Sequence, residues 1–368
     1  MNHNFNTYPY GHDYGNSKTC GVTYINGVVH ELTMPSALRE GSYNGLVSGV
    51  MGGNLQQLDI IHDRSHVIQV KRQEFFAGEL AIEQNPSVKI SELTWRGEIE
   101  RYWSVRSLSM LLVTSGSIIK DKEYGLIVVA GLPIETYKNE ENIQATMTAL
   151  DGRHEFVLDG EKRIAHVTIR KVIMEGSGAN IAHGAVGKTK IGIVDIGGRT
   201  TDIYMVVGQT PIIGQCQSFN TGVESAVDNF IASFEEEFQF PLTASDAAKL
   251  QICYIGDKRY NEVATVRNAG ASQQRVDELL ARSFGEAGRS IAGFIRRTWA
   301  PNLRNGIVAS DAEHILFIGG GAHYFYDAMG AIFQNRLSIP PNPQCANAAG
   351  YARLALRFLN RDIKEQAS

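Results

Sequence analysis

Two short segments place an aspartate, bare backbone and hydroxyl or ammonium donors within a few residues of one another. They are Asp13-Tyr14-Gly15-Asn16-Ser17-Lys18-Thr19 and Asp195-Ile196-Gly197-Gly198-Arg199-Thr200-Thr201-Asp202. That combination suits a phosphate chain, whose oxygens meet backbone N–H groups at close range only where no side chain intervenes. Gly197 and Gly198 give that freedom in the second segment, and Thr200 and Thr201 add hydroxyls. Gly15, Asn16 and Ser17 do the same in the first, where Lys18 adds a positive charge. Carboxylates repel phosphate, so Asp13 and Asp195 point instead to a magnesium ion, which keeps most of its waters and takes one or two carboxylates beside phosphate oxygens. An Asp-x-Gly turn alone is ordinarily just a hairpin turn. The second segment is the more specific, because a simple turn needs neither two glycines nor two threonines between acids.

A third glycine cluster, Gly319-Gly320-Gly321-Ala322, follows the apolar run His314 to Ile318. Glycines between a strand end and the next segment let backbone lie flat against a nucleoside. Gly222, where a helical pattern begins, is counted with these nucleotide-binding positions.

The elements that must carry these turns are legible as hydrophobic patterns. Cys20 to Ile25 and Val28 to Leu32, joined by Asn26-Gly27, predict a hairpin, because Asn-Gly accepts the positive φ of a tight turn. Gly125 to Gly131 reads as a strand covered on both faces. Lys190 to Asp195 and Thr201 to Val207 form a second strand pair, Ser65 to Phe76 and His154 to Val172 read as strand, and Glu98 to about Ser117 reads as helix. Helix follows Gly222, runs again from Gln273 to Trp299 with Gly285, Gly288 and Gly293 allowing a break or close packing, and ends the chain from Ala346 to Leu359. Each half of the chain thus opens with strand, glycine turn and returning strand, an aspartate closing the first strand: a duplication of design.

Bulk properties narrow the class. A chain of 368 residues exceeds one ordinary core and implies two domains. The net charge of -4 gives no broad positive field, so direct coating of nucleic acid is not expected. No apolar run approaches the ~20 residues of a membrane span, and the polar, Asn-rich Met1 to Tyr10 lacks the regions of a signal peptide. Cys20, Cys216, Cys253 and Cys345 lie far apart without paired spacing, so neither a disulfide framework nor a zinc site is expected, and a reducing cytoplasm fits.

In this order, the three glycine-bearing segments resemble the two phosphate motifs and the adenosine motif of the actin superfamily. Met174-Glu175-Gly176-Ser177-Gly178-Ala179 and Asn347-Ala348-Ala349-Gly350 resemble its two connecting motifs. Gly78-Glu79-Leu80-Ala81, Gly131-Leu132-Pro133 and Met174-Glu175-Gly176 are most similar to plasmid-segregating bacterial actins of the ParM type and archaeal actin-like proteins. The stretch Thr7-Tyr8-Pro9-Tyr10-Gly11-His12 departs from the family, whose strand before the first aspartate is apolar.

The resemblance implies an α/β, actin-like (ribonuclease-H-like) duplicated fold with two domains around a nucleotide cleft. Domain I would span residues 1–182 with the C-terminal helix 345–368 packing back on it, and domain II residues 183–344. It implies ATP, with GTP as the alternative, and magnesium at Asp13 and Asp195, the ion reached through water. Position alone leaves Glu175 open between a helix-start acid and a catalytic one; the resemblance puts the water-orienting acid there, with Asp13 and Asp195 as its catalytic companions.

The implied activity is ATP hydrolysis controlling a homopolymeric cytoplasmic filament that segregates plasmid DNA through a DNA-binding adaptor. The alternatives are a cytoskeletal scaffold filament or a monomeric small-molecule kinase or switch ATPase of the same superfamily. Gly184-Ala185-Val186-Gly187-Lys188-Thr189 imitates a nucleotide P-loop, but Ala182 stands where the first glycine is required and the run precedes a strand.

Overall fold

A computed structural model of the chain describes residues 5–42, 62, 64–84, 99–184, 189–300 and 312–367. The P-loop imitation at 184–189 lies largely outside them. The chain divides into two compact units, one of Met1–Asn85, Ile90–Gly184 and Gln344–Ser368, the other of Pro86–Lys89 and Ala185–Pro343.

The first unit is built on a nine-stranded sheet in the order β3-β2-β1-β7-β9-β8-β5-β6-β4. Its strands are β1 (Thr7–Tyr14), β2 (Lys18–Ile25), β3 (Val28–Pro35), β4 (Leu38–Glu40), β5 (Ser65–Val70), β6 (Gln73–Gly78), β7 (Glu123–Leu132), β8 (Gly152–Leu158) and β9 (Glu161–Met174). β1, β7 and β9 run parallel and the remaining pairs antiparallel. Asn26 and Gly27 take φ of 52° and 78°, as the hairpin between β2 and β3 requires. The expected strand 65–76 is instead a hairpin of β5 and β6, turned by Lys71 and Arg72 at φ of 49° and 66°. Neither residue favours that backbone, which is why no turn was legible there.

β7 is covered on both faces because alternate residues enter separate cores. Tyr124, Leu126, Val128 and Leu132 join Tyr10 of β1 and Leu108, Leu111 and Leu112 of α1 (Val105–Ile118). Ile127 and Val129 meet Tyr351 and Ala355 of the C-terminal helix Ala346–Ala367. The polar-looking strand before Asp13 is buried too: Tyr10 donates its hydroxyl to Thr114, and Gly11 lies so close to the C-terminal helix that a Cβ would meet the Ala348 carbonyl.

The same helix overturns the reading of the cysteines. Cys20 of β2 and Cys345, one residue before the helix, are joined in a disulfide with Cα atoms 5.6 Å apart. Their sequence separation of 325 carries no hint of this, since it is the helix packing back on β1 and β2 that makes them neighbours. The cysteine-based argument for a reducing compartment falls with it. No helix among the described residues is long and apolar enough to cross a membrane.

The second unit holds a six-stranded sheet, β12-β11-β10-β14-β15 with β13 also on β11. These are β10 (Lys190–Ile196), β11 (Thr201–Val207), β12 (Thr210–Pro211), β13 (Gln217–Phe219), β14 (His314–Ile318) and β15 (Leu337–Ser338). α2 (Ser177–His183) belongs to the first unit; α3 (Val223–Phe238), α4 (Ala244–Ile255), α5 (Gln273–Trp299) and α6 (Tyr326–Phe333) belong to the second. Val194, Ile196, Ile203 and Phe317 of the sheet form one core with Phe230 and Phe234 of α3 and Leu280, Ile291 and Ile295 of α5. α5 is unbroken; Gly288 serves close packing, its missing Cβ 3.0 Å from that of Ala328 in α6.

Candidate functional site

In both units an aspartate is the penultimate residue of a strand that pairs antiparallel with the next and parallel with a later one. Asp13 of β1 lies opposite Cys20, and Asp195 of β10 opposite Asp202 and Ile318. Both aspartates are half-buried. The C-terminal ends of parallel strands are where open α/β sheets place ligands.

In the first unit, the turn after Asp13 has its carbonyl oxygens drawn back into the protein. Arg101 donates from Nη2 to the Tyr14 carbonyl at 2.9 Å. Ser36 donates its hydroxyl to Gly15 at 2.8 Å and its N–H to Ser17 at 2.9 Å. With the Tyr14, Gly15 and Ser17 carbonyls occupied, three acceptors of this turn no longer compete with an anion for its donors. Lys18 is exposed by area and donates to Gln344 Oε1 at 3.1 Å. Partial dehydration lowers its pKa, Arg64 adds to the effect by repulsion, and Glu79 opposes it.

In the second unit the same withdrawal is made by a helix start. The carbonyls of Gly197 and Gly198 accept from the N–H groups of Val223 and Glu224, at 3.1 and 2.7 Å, while Gly197 N–H closes the turn on Thr200 at 2.9 Å. These two carbonyls cap donors that the first turn of α3 would otherwise leave unpaired. A Cβ on Gly222 would lie 2.6 Å from both carbonyls, so glycine is required there by close approach. Gly222 therefore shapes the turn.

The two threonines differ. Thr200 stays half-buried in the turn, whereas Thr201 is fully buried and donates to the Thr221 carbonyl at 2.7 Å. The hydroxyl expected of Thr201 is thus committed inside the protein. Asp202 is likewise buried and accepts from the Ser218 hydroxyl.

The third glycine cluster meets this second turn. Gly319, at φ 83°, presses bare backbone against the Asp195 carboxylate, and Gly321 N–H donates to the Ile196 carbonyl at 2.7 Å. Gly320 faces open space, while the Ala322 methyl is buried in the second core. Asp195, Gly197, Gly198, Gly222 and the 319–322 segment are therefore one cluster.

Glu175 follows the last residue of β9 and is buried. Its N–H donates to Leu132 of β7 at 2.9 Å, and Gly176 follows at φ 88° to begin α2. Asn347 Oδ1 accepts from the N–H of Gly176 at 3.0 Å and of Ala179 at 3.2 Å, so the start of the C-terminal helix caps α2. The two resembling connecting motifs meet there, Gly178 against Gly350, with no room for a side chain on either.

Taken singly, each turn has donors that fit a magnesium-bound phosphate. Each turn brings a half-buried carboxylate at a strand end and a backbone whose oxygens face inward, and Lys18 adds a cation. Sequence reasoning missed Arg101 and Ser36. Arg101 lies inside a stretch read as ordinary helix, and a lone serine after Pro35 carries no pattern.

Residues 11–178 match the family model described as the actin-like proteins N-terminal domain. No curated protein matches the chain in sequence. Among solved structures, ParM in a 15-stranded filament from Clostridium botulinum shares 19% identity over 96% of this chain and 100% of that chain, with a TM-score of 0.72. Ta0583, an archaeal actin homologue, shares 20% identity over 95% of this chain and 99% of its own, TM-score 0.68. Its complex with ADP gives 19% identity over 96% and 100%, TM-score 0.66. The chain has the actin-like fold, and over residues 11–178 it is similar to the N-terminal domain of the actin-like proteins.

Proposed function

We propose that the chain is a nucleotide-dependent, filament-forming ATPase in which binding and hydrolysis of Mg-ATP control polymerisation. The observation that carries this is the shared design of the two turns. In each, carbonyl oxygens are tied back by protein donors beside an aspartate at a strand end. Such turns favour anions, because oriented backbone N–H groups attract phosphate once competing oxygens are withdrawn. The first turn would bind through Gly15, Asn16, Ser17 and Lys18, the second through Gly198 and Thr200; Gly197, expected to bind nucleotide, instead shapes the turn, since its N–H is committed to the Thr200 carbonyl. Gly319 to Gly321 would supply bare backbone for the nucleoside.

Magnesium, held by Asp13 and Asp195 through water, would neutralise charge on the phosphate oxygens. Phosphoryl transfer asks mainly for positioning and charge stabilisation. Glu175 would orient the attacking water from its place at the end of β9. The likeness to a filament-forming ParM supports self-assembly as the output. Plasmid or DNA segregation through a DNA-binding adaptor in the cytoplasm is the cellular role that fits this reading and the net charge of -4.

Light scattering and phosphate release followed together after adding Mg-ATP test the proposal. Scattering is expected to rise only with nucleotide, with phosphate release lagging behind it. The Glu175→Ala chain should keep ATP binding and the scattering rise while losing about a hundredfold or more in phosphate release. Hydrolysis without scattering at any protein concentration, or phosphate passing to a small-molecule acceptor, would overturn the filament reading. Wild-type turnover in Glu175→Ala would remove that residue from its role.

A further inference from the structure

Arg101 is a guanidinium only 1% exposed, among the largest fully buried side chains of the chain. Burying a cation is costly unless geometry compensates it. Here the compensation converges on the first turn. Nη2 donates to the Tyr14 carbonyl at 2.9 Å and to the Tyr102 hydroxyl at 3.2 Å. The guanidinium carbon also lies 4.7 Å from the Tyr14 ring centroid and 4.6 Å from that of Tyr102, within reach for cation–π attraction.

The strand register says what stands beside it. His12 pairs with Ala130, so Tyr14 and Leu132 are each two residues further along parallel neighbours. Leu132 in turn pairs with Met174 and accepts the Glu175 N–H. Tyr14, Leu132 and Met174 thus end three adjacent parallel strands, and Glu175 follows the third. Burial lowers the pKa of Arg101, but the Tyr102 and Tyr14 hydroxyls and the Glu175 carboxylate outweigh it, leaving the guanidinium firmly charged.

We propose that Arg101 is a positioning residue for nucleotide hydrolysis: it holds the Tyr14 carbonyl away from the phosphate chain and fixes the Glu175 carboxylate at the end of β9. This rests on the ATPase reading above and names a residue that the motifs do not contain. Arg101 itself touches neither phosphate nor the attacking water. It acts on the first turn through its hydrogen bond to the Tyr14 carbonyl and on Glu175 through its charge, and a lysine ammonium does not reproduce the planar donor geometry of the first.

The test is a double-mutant cycle on hydrolysis at saturating Mg-ATP, with nucleotide affinity and thermal midpoint recorded for each chain. Arg101→Lys is expected to lower turnover at least about tenfold and weaken ATP binding by a smaller factor. In a Glu175→Ala background, Arg101→Lys should lower turnover by a clearly smaller factor, because only the part of its action that passes through the first turn remains. Tyr102→Phe, which removes one acceptor from the guanidinium, should give a milder fall with the same dependence on Glu175. Equal fold losses in both backgrounds, or Arg101→Lys turnover within twofold of wild type, would overturn the proposal. If Arg101→Lys does not fold, Tyr102→Phe decides: turnover unchanged by it sinks the idea. A wild-type chain that neither binds nor hydrolyses ATP would defeat the ATPase reading itself, a result distinct from all of these.

Discussion

His12 stands one residue before the acid that closes β1, yet neither ring nitrogen has a hydrogen-bond partner among the described residues. It is 1% exposed and lies opposite Gly21 and Ala130, two small neighbours that leave room for an imidazole. Burial pushes its pKa down to about 3, so it packs as a neutral ring where the resembling family has apolar side chains. The unfolded chain, titrating near 6.5, therefore takes up this proton first as the medium is acidified. Stability is full above pH 6.5 and is lost as pH falls toward 3, at about 1.4 kcal/mol per unit. Between pH 7 and pH 5, His12→Leu should spare roughly 2 kcal/mol of that loss, read from urea unfolding at the two values. Some slope will persist, because burial also lowers His154 and His183. Equal slopes in the two chains would mean His12 is already charged or solvated in the fold.

At the scale of elements, glycine is what brings the connecting segments together. Gly350 in the first turns of the C-terminal helix and Gly178 in α2 touch backbone to backbone, with Asn347 capping α2 from the same helix. Gly350→Ala is expected to cost about 1–3 kcal/mol by overpacking. Gly330→Ala, in α6 with open space around it, should be neutral or slightly stabilising. Equal unfolding midpoints for the two variants would show that the helices yield without strain.

These elements also mark what the sequence could disclose. Strands with apolar runs such as β7, β10 and β14 were readable because burial on both faces leaves a hydrophobic signature. The Asp-Gly turns were readable because few residue types allow bare backbone beside a carboxylate. The β5–β6 turn at Lys71-Arg72 was not, since its positive φ values fall on residues without that preference. Nor were Arg101, Ser36 and the burial of Thr201, which depend on what lies opposite in space.

For the whole molecule, the disulfide is the covalent contact that spans most of the sequence. Titrating the denatured chain with a thiol reagent should give two reactive groups, Cys216 and Cys253, before reduction and all four afterwards. A cross-link closing 325 residues restricts the unfolded chain, and loop-closure entropy sets its stabilisation at up to about 5 kcal/mol. A reductant should therefore lower the thermal midpoint, and Cys20→Ser should lower it equally without one. Four thiols before reduction, with a midpoint indifferent to reductant, would rule the bond out.

The Cys20–Cys345 bond closes the chain between these residues into a covalent ring. A protease that cuts once within that ring opens a circle without dividing it. On a non-reducing gel the nicked protein should remain one species, and its two pieces should part only when the sulfurs do.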